Sequence, residues 1–203
     1  MGTTITSKEE LRSVYKAAIP RAVAKVQKKL DRHCLSFVEL SPFVVLGTWG
    51  EGGADVSPRG GPAGFVKALD ASTLLLPDFA GNNRLDSFEN IIENGQAALF
   101  FLVPGVNETM RVHGTARLDT DPELRAMCEV DGKLPISVVI IKIEEAYLHC
   151  AKALMRSGLW DPTRHVDRAT LPTFGQMLKD QTGDPRPPES DAEMLRRYKE
   201  VLY

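Results

Sequence analysis

Cysteine is scarce in this chain, with only Cys34, Cys128 and Cys150 present. No two of them form a close-spaced CxxC pair, and an odd number does not close into a complete disulfide framework, so a stapled secreted scaffold is excluded and a reducing compartment is expected. Long apolar runs are missing too. No stretch of about 18 apolar residues occurs to span a bilayer, and the opening MGTTITSKEELRSVYK lacks the apolar segment of a secretory signal. The expectation is a cytoplasmic protein with no membrane partner. Met1-Gly2 with Thr6 does meet the loose N-myristoylation pattern, but a pattern that short recurs by chance. Charge of one sign is also lacking. Twenty-five basic and 27 acidic residues leave a net charge of −2, which gives no bulk field for nucleic acid. Any anion has to be met by a local basic pocket.

Several chemical signatures are absent. There is no GxSxG elbow, no GxxxxGK[ST] phosphate loop and no GxGxxG fingerprint, which removes the usual hydrolase, nucleotide-triphosphatase and dinucleotide readings. His33-Cys34 and His149-Cys150 raise a zinc reading. Adjacent strand residues point to opposite faces, however, so such dipeptides chelate poorly and no metal is expected.

What remains is ordinary globular composition, 43% hydrophobic and 26% charged over 203 residues, enough for one core. Ser7 and Glu10 have capping-box spacing, predicting a helix over 8–18. Pro20 suits the first turn of a second helix over 20–31, with Ala22, Val23, Val26 and Leu30 on one face. From residue 35, LSFVELSPFVVLGTWG and then ADVSPRGG suggest strands joined at Glu51-Gly52-Gly53. STLLLPD (72–78) is another strand. A helix over 85–93 follows, with Leu85, Phe88, Ile91 and Ile92 on one face, closed by Asn94-Gly95. QAALFFLVP and TMRVHGTARL flank Pro104-Gly105-Val106-Asn107 as a hairpin. Asp121-Pro122 opens a short helix to about 130, and 135–149 is the last long strand. The tail beyond 161 is less orderly: RPPES (186–190) reads as a linker and 191–203 as an amphipathic helix. The chain thus divides into an N-terminal helical segment (1–34), a β-rich body (35–161) and a C-terminal helical extension (162–203). Six or so antiparallel strands with peripheral helices favour a closed or nearly closed barrel.

Four clusters could carry chemistry. In DFAGNNRLDSFENII (78–92), Gly81, Asn82, Asn83 and Arg84 stand directly before a helix. Unpaired N–H groups and the positive end of the helix dipole favour an anion there once a guanidinium adds charged hydrogen bonds. The bland alternative is that Asn83 caps the helix and Arg84 is a solvated charge. In DVSPRGGPAG (55–64), Ser57 and Arg59 either sit in a plain loop or offer side-chain bonds to a flat ligand. Strand alternation puts Arg111, His113 and Thr115 on one face, Met110, Val112 and Gly114 on the other, and leaves open which is solvated. In HCAKALMRSGLWD (149–161), Lys152 and Arg156 share a helical face with Ala153, and Trp160 is either core or an aromatic wall for a ligand ring.

Taken together, residues 57–118, and more weakly the chain to Asp161, resemble the pyridoxamine 5'-phosphate oxidase-like FMN-binding proteins. GNNRLDSFENI before a hydrophobic strand and PG...ETMRVHGTA after it carry the resemblance. It implies a Greek-key split β-barrel, mainly β with peripheral helices, and FMN as cofactor. It also implies a homodimer with flavin sites at the subunit interface and a small-molecule substrate for an FMN-dependent oxidoreductase. Carried over residue by residue, it places the flavin phosphate at Arg84 and Arg59 with Ser57 nearby. Asn82, Asn83, Ser87 and Asp78 lie around them. Arg111 is placed beside the flavin, where a cation favours the reduced, anionic ring. Lys152, Arg156, Ser157 and Trp160 are candidates for C-terminal contacts. The chain departs from the oxidase itself, having DVSPRG where that enzyme carries an RxVLLK run and lacking its C-terminal arginine and histidine motif. It is more similar to members with an SPRG loop. A deazaflavin-dependent reductase on the same barrel, or a flavin- or haem-binding carrier or sensor without turnover, are the rival readings.

Overall fold

The computed structural model describes residues 4–202, so Met1 and Gly2 of the myristoylation pattern lie outside the described residues, as does Tyr203. The N-terminal segment departs from expectation. Helix α1 (Lys8–Val14) is capped by Ser7, whose Oγ accepts from the Glu10 N–H, while the Glu10 carboxylate takes the Thr6 N–H instead of closing a full capping box. It stops well short of 18, because it buries no residue and Pro20 forces the chain ahead of it to be extended. Helix α2 (Pro20–Ala24) ends early for a different reason. Gln27 leaves the helical path to exchange both main-chain hydrogen bonds with Ala146, at 3.0 and 2.7 Å. The start of the stretch from 35, expected as strand throughout, is helix as far as Leu40, and the strand begins only at Phe43. Asp31 accepts from the N–H groups of His33 and Cys34 and so starts α3 (Arg32–Leu40), which buries Cys34 and Val38 one turn apart against the body.

Among the described residues seven strands follow: β1 (Phe43–Gly50), β2 (Gly53–Gly60), β3 (Lys67–Asp70), β4 (Thr73–Asp78), β5 (Gln96–Leu102), β6 (Thr109–Asp119) and β7 (Ser137–His149). All pairings are antiparallel, in the order β2-β1-β5-β6-β7-β4-β3. The sheet curls until Arg59 near the end of β2 forms an ion pair with Asp78 at the end of β4, although these strands lie toward opposite sides of the order. The result is a split β-barrel, mainly β with peripheral helices, as expected.

Alternation along the strands sends Val44 and Leu46, Leu99 and Phe101, and Met110 and Val112 into one interior. In β4, Leu74, Leu75 and Leu76 are all buried, because Leu75 faces a smaller outer cluster with Cys128, Val138 and Ile140. The pairing of β6 with β7 shifts register between His113 and Gly114. A Cβ at Gly114 would collide with the Lys142 carbonyl oxygen, so this bulge requires glycine.

Helix α4 (Asp86–Asn94) spans the expected stretch but presents a different face. Phe88 and Ile91 are buried, whereas Leu85 and Ile92 are exposed. Ser87 and Asn90 go inside in their place, because Ser87 donates to the Asp55 carboxylate and Asn90 donates to Thr48 and the Gly53 carbonyl. The remaining helices are α5 (Pro122–Met127), α6 (Lys152–Ser157), α7 (Phe174–Thr182) and α8 (Asp191–Val201). Helix α7, not anticipated in the tail, is capped by Thr173 and packs on α8, which starts with a full capping box between Ser190 and Glu193. Among the described residues no helix is long and apolar enough to cross a membrane. Cys34 and Cys128 are buried, which pushes both thiols up to about 11, while Cys150 is exposed.

Candidate functional site

DVSPRG is not a loop; it forms most of β2, paired only with β1 at the sheet edge, where a proline is tolerated. Asp55, Ser57 and Arg59 therefore project from one face at two-residue spacing. Opposite them the chain leaves β4 through Phe79 and the Gly81–Arg84 corner to enter α4. Between the two sides lies a cleft of about 630 Å³, lined by Asp55, Ser57, Arg59, Asp78, Asn82, Asn83, Arg84 and Ser87 among others. Seven of the twelve residues singled out in the sequence thus share one cleft.

Local chemistry explains the corner. Asn83 is one of two non-glycine residues with positive φ among those described, at 58°, a conformation asparagine tolerates. The Asn82 side chain accepts from the Arg84 N–H at 3.0 Å, which folds the turn. Asn83 does not cap α4: the N-cap is Leu85, and no side chain caps that helix. Its first N–H groups therefore have no side-chain acceptor, at the end of the helix whose Asp86 and Ser87 line the cleft.

Both guanidiniums are held by carboxylates. Arg59 pairs with Asp78, bonds Ser57 Oγ through Nε at 3.1 Å, and lies 5.1 Å from the Phe88 ring centroid. Burial pushes the Asp78 carboxyl up more strongly than Arg59 pulls it down. The Arg84–Asp86 pair, at 2.5 Å, stands in solvent with the Arg84 side chain 79% exposed, so its hold is weak and exchangeable. Two sequence candidates have acquired different roles. Asp78 is the partner of Arg59 rather than an open ligand contact, and the Ser87 hydroxyl is committed to Asp55.

The other candidates lie elsewhere. Arg111 sits on the outer, exposed face of β6 and, with Lys152 and Arg156 from α6, lines a second cleft of about 360 Å³ beside Phe100, Thr109 and His149. Phe100, Arg111 and Tyr147 stand in register across β5, β6 and β7, and Arg111 Nη1 is 3.3 Å from the Tyr147 hydroxyl. Lys25, from the N-terminal segment, bonds the Leu148 carbonyl at 2.7 Å and lies 5.3 Å from the Tyr147 ring centroid. Burial, then Arg111 and Lys25, hold the His149 imidazole below its ordinary value, and its buried Nε2 has no hydrogen-bond partner. Ser157 and Trp160 line neither cleft. The Ser157 hydroxyl donates to the Leu154 carbonyl, and the Trp160 indole N–H donates to the Val106 carbonyl, pinning the β5–β6 turn.

The sequence profile described as pyridoxamine 5'-phosphate oxidase matches residues 30–150, which span β1 to β7 and most residues of both clefts. The chain belongs to that family. No curated protein matches it. Solved structures similar to this member of the pyridoxamine 5'-phosphate oxidase family include HupZ from Group A Streptococcus, at 16% identity over 58% of this chain and 91% of that one, with a TM-score of 0.47. An FMN-binding protein from Syntrophomonas wolfei shows 14% identity over 59% and 88%, TM-score 0.42. General Stress Protein 26 from Bacillus anthracis shows 14% over 56% and 88%, TM-score 0.42.

Residues that sequence reasoning passed over are Asp55 and Asp86 in the first cleft and Phe100 and Thr109 in the second, where His149 had been weighed only as a metal ligand. Asp55 had a signal, since it stands at the same two-residue spacing as Ser57 and Arg59. The second set had none, because it depends on strand register.

Proposed function

We propose that this protein is an FMN-dependent oxidoreductase acting on a small molecule, with the flavin phosphate held in the cleft between β2 and α4. The observation that carries the reading is the convergence there of two guanidiniums, the Asn82 and Asn83 amides and an uncapped helix start. The residues fit FMN on three counts: the volume suits a compact cofactor, the donors suit a phosphate, and the exposed Asp86 yields Arg84 at little cost. Arg59 is the oriented cation, fixed in place by Asp78, Ser57 and the Phe88 ring. Arg84 is the adaptable one, and the N–H groups of the first α4 turn complete the cradle. Bound FMN supplies the electron or hydride chemistry, so no protein nucleophile is needed. The protein works in the cytoplasm as a homodimer, which sets the second cleft of one protomer beside the flavin of its partner.

The test is the absorption spectrum of purified protein and the mass of any ligand it releases. Flavin bands with the FMN mass are expected. A Soret band assigns a haem carrier instead, a deazaflavin mass assigns the related reductase, and flavin that NAD(P)H and small-molecule substrates fail to reduce assigns a binding module.

A further inference from the structure

The second cleft holds three cations and no carboxylate, since Arg111, Lys152 and Arg156 line it without an acidic residue. None of the three makes an ion pair among the described residues. Their charged groups have no built-in acidic partner, which leaves them available to an anion. The His149 imidazole adds an unmet demand. It lines the same cleft, and its buried Nε2 has no hydrogen-bond partner. One aromatic ring lines the cleft, since Phe100 stands opposite Arg111 in the pairing of β5 with β6.

We infer that this cleft is an oxyanion subsite, in which Arg111, Lys152 and Arg156 bind the phosphate or carboxylate of a compact substrate whose remaining atoms lie on Phe100 beside His149. That the bound molecule is the substrate of a flavin rests on the function proposed above; that the cleft binds an anion does not. The cleft is little more than half the volume of the first, which favours a small acid or monophosphate over a dinucleotide.

The experiment is calorimetric titration of inorganic phosphate and of benzoate into full-length protein at low salt, both saturated with FMN and flavin-free. The parent and the Lys152→Ala/Arg156→Ala double variant are compared, with Arg84→Ala as a control. The FMN-saturated parent is expected to bind at least one of the two anions, and the double variant to bind it at least about tenfold more weakly while holding FMN to within that factor. Which anion binds separates a phosphate subsite from a carboxylate subsite. The inference is overturned if neither anion binds, if the double variant binds them as the parent does, or if it loses FMN tenfold or more, since the cluster then belongs to the flavin. Should the protein take up no flavin, the flavin-free titration still decides. Anion binding lost in the double variant but kept in Arg84→Ala upholds the subsite while the flavin reading fails.

Discussion

In the cleft between β2 and α4 each guanidinium already faces a carboxylate, whereas the cleft under α6 is lined by three cations and no carboxylate. The difference separates two ways of preparing an anion site. Asp78 and Asp86 hold Arg59 and Arg84 in place before a ligand arrives, but they also compete with it for the same hydrogen bonds. The second cleft holds no carboxylate to compete, so an incoming anion displaces none. The first arrangement ties the site to the stability of the barrel, because Arg59–Asp78 is also the contact that brings β2 to β4. The second leaves the barrel nearly indifferent to its cations.

The sharpest way to break this comparison is Arg59→Ala, which leaves a mostly buried Asp78 unpaired and opens the seam. It is expected to cost about 2–3 kcal/mol in a urea unfolding series, and adding Asp78→Asn should return part of that loss. If the single variant unfolds at the parental midpoint, the pair is not structural. Next in size, Arg84→Ala should weaken FMN roughly tenfold by fluorescence titration while leaving the unfolding midpoint where it was, because its partner is solvated. Phosphate or benzoate at ten times its Kd should raise the melting temperature of the parent by roughly 3 °C and that of Lys152→Ala/Arg156→Ala by less. The smallest effect concerns His149. Arg111 faces it from β6, Tyr147 from β7, Lys25 from the N-terminal segment and Lys152 and Arg156 from α6, with no carboxylate among them. Its folded value lies below the ordinary 6.5, so the unfolded chain takes up the proton first. Stability from this group is complete above pH 6.5 and declines as pH falls through the folded value. His149→Gln should flatten that part of a melting-versus-pH curve.

Much of the barrel could be read directly, since alternation in QAALFFL and TMRVHGTARL marks strands with one buried face, and Asn94-Gly95 stops α4 where a left-handed Gly95 ends it. Residues 35–40 misled because Phe37 and Val38 favour strands locally. The Asp31 cap and the burial of Cys34 with Val38 outweighed that preference. ADVSPRGG forms the strand that its pairing across Glu51-Gly52-Gly53 suggested, and the alternative of a plain loop over 55–64, raised by glycine and proline density, falls because an edge strand accommodates both. The corner was legible because Asn82, Asn83 and Arg84 act locally. The separation of Arg111 from Arg84 was not, because it depends on which face of β6 turns outward, and the period-two pattern fixes only that the two faces differ.

The three thiols described earlier differ in a way that offers an experimental handle. Burial keeps Cys34 and Cys128 protonated near neutral pH and out of reach, while Cys150 lies exposed on the rim of the α6 cleft. An alkylating dye applied to the unmodified protein therefore attaches at a single place, a few residues from Lys152, where its emission reports whether that depression is filled.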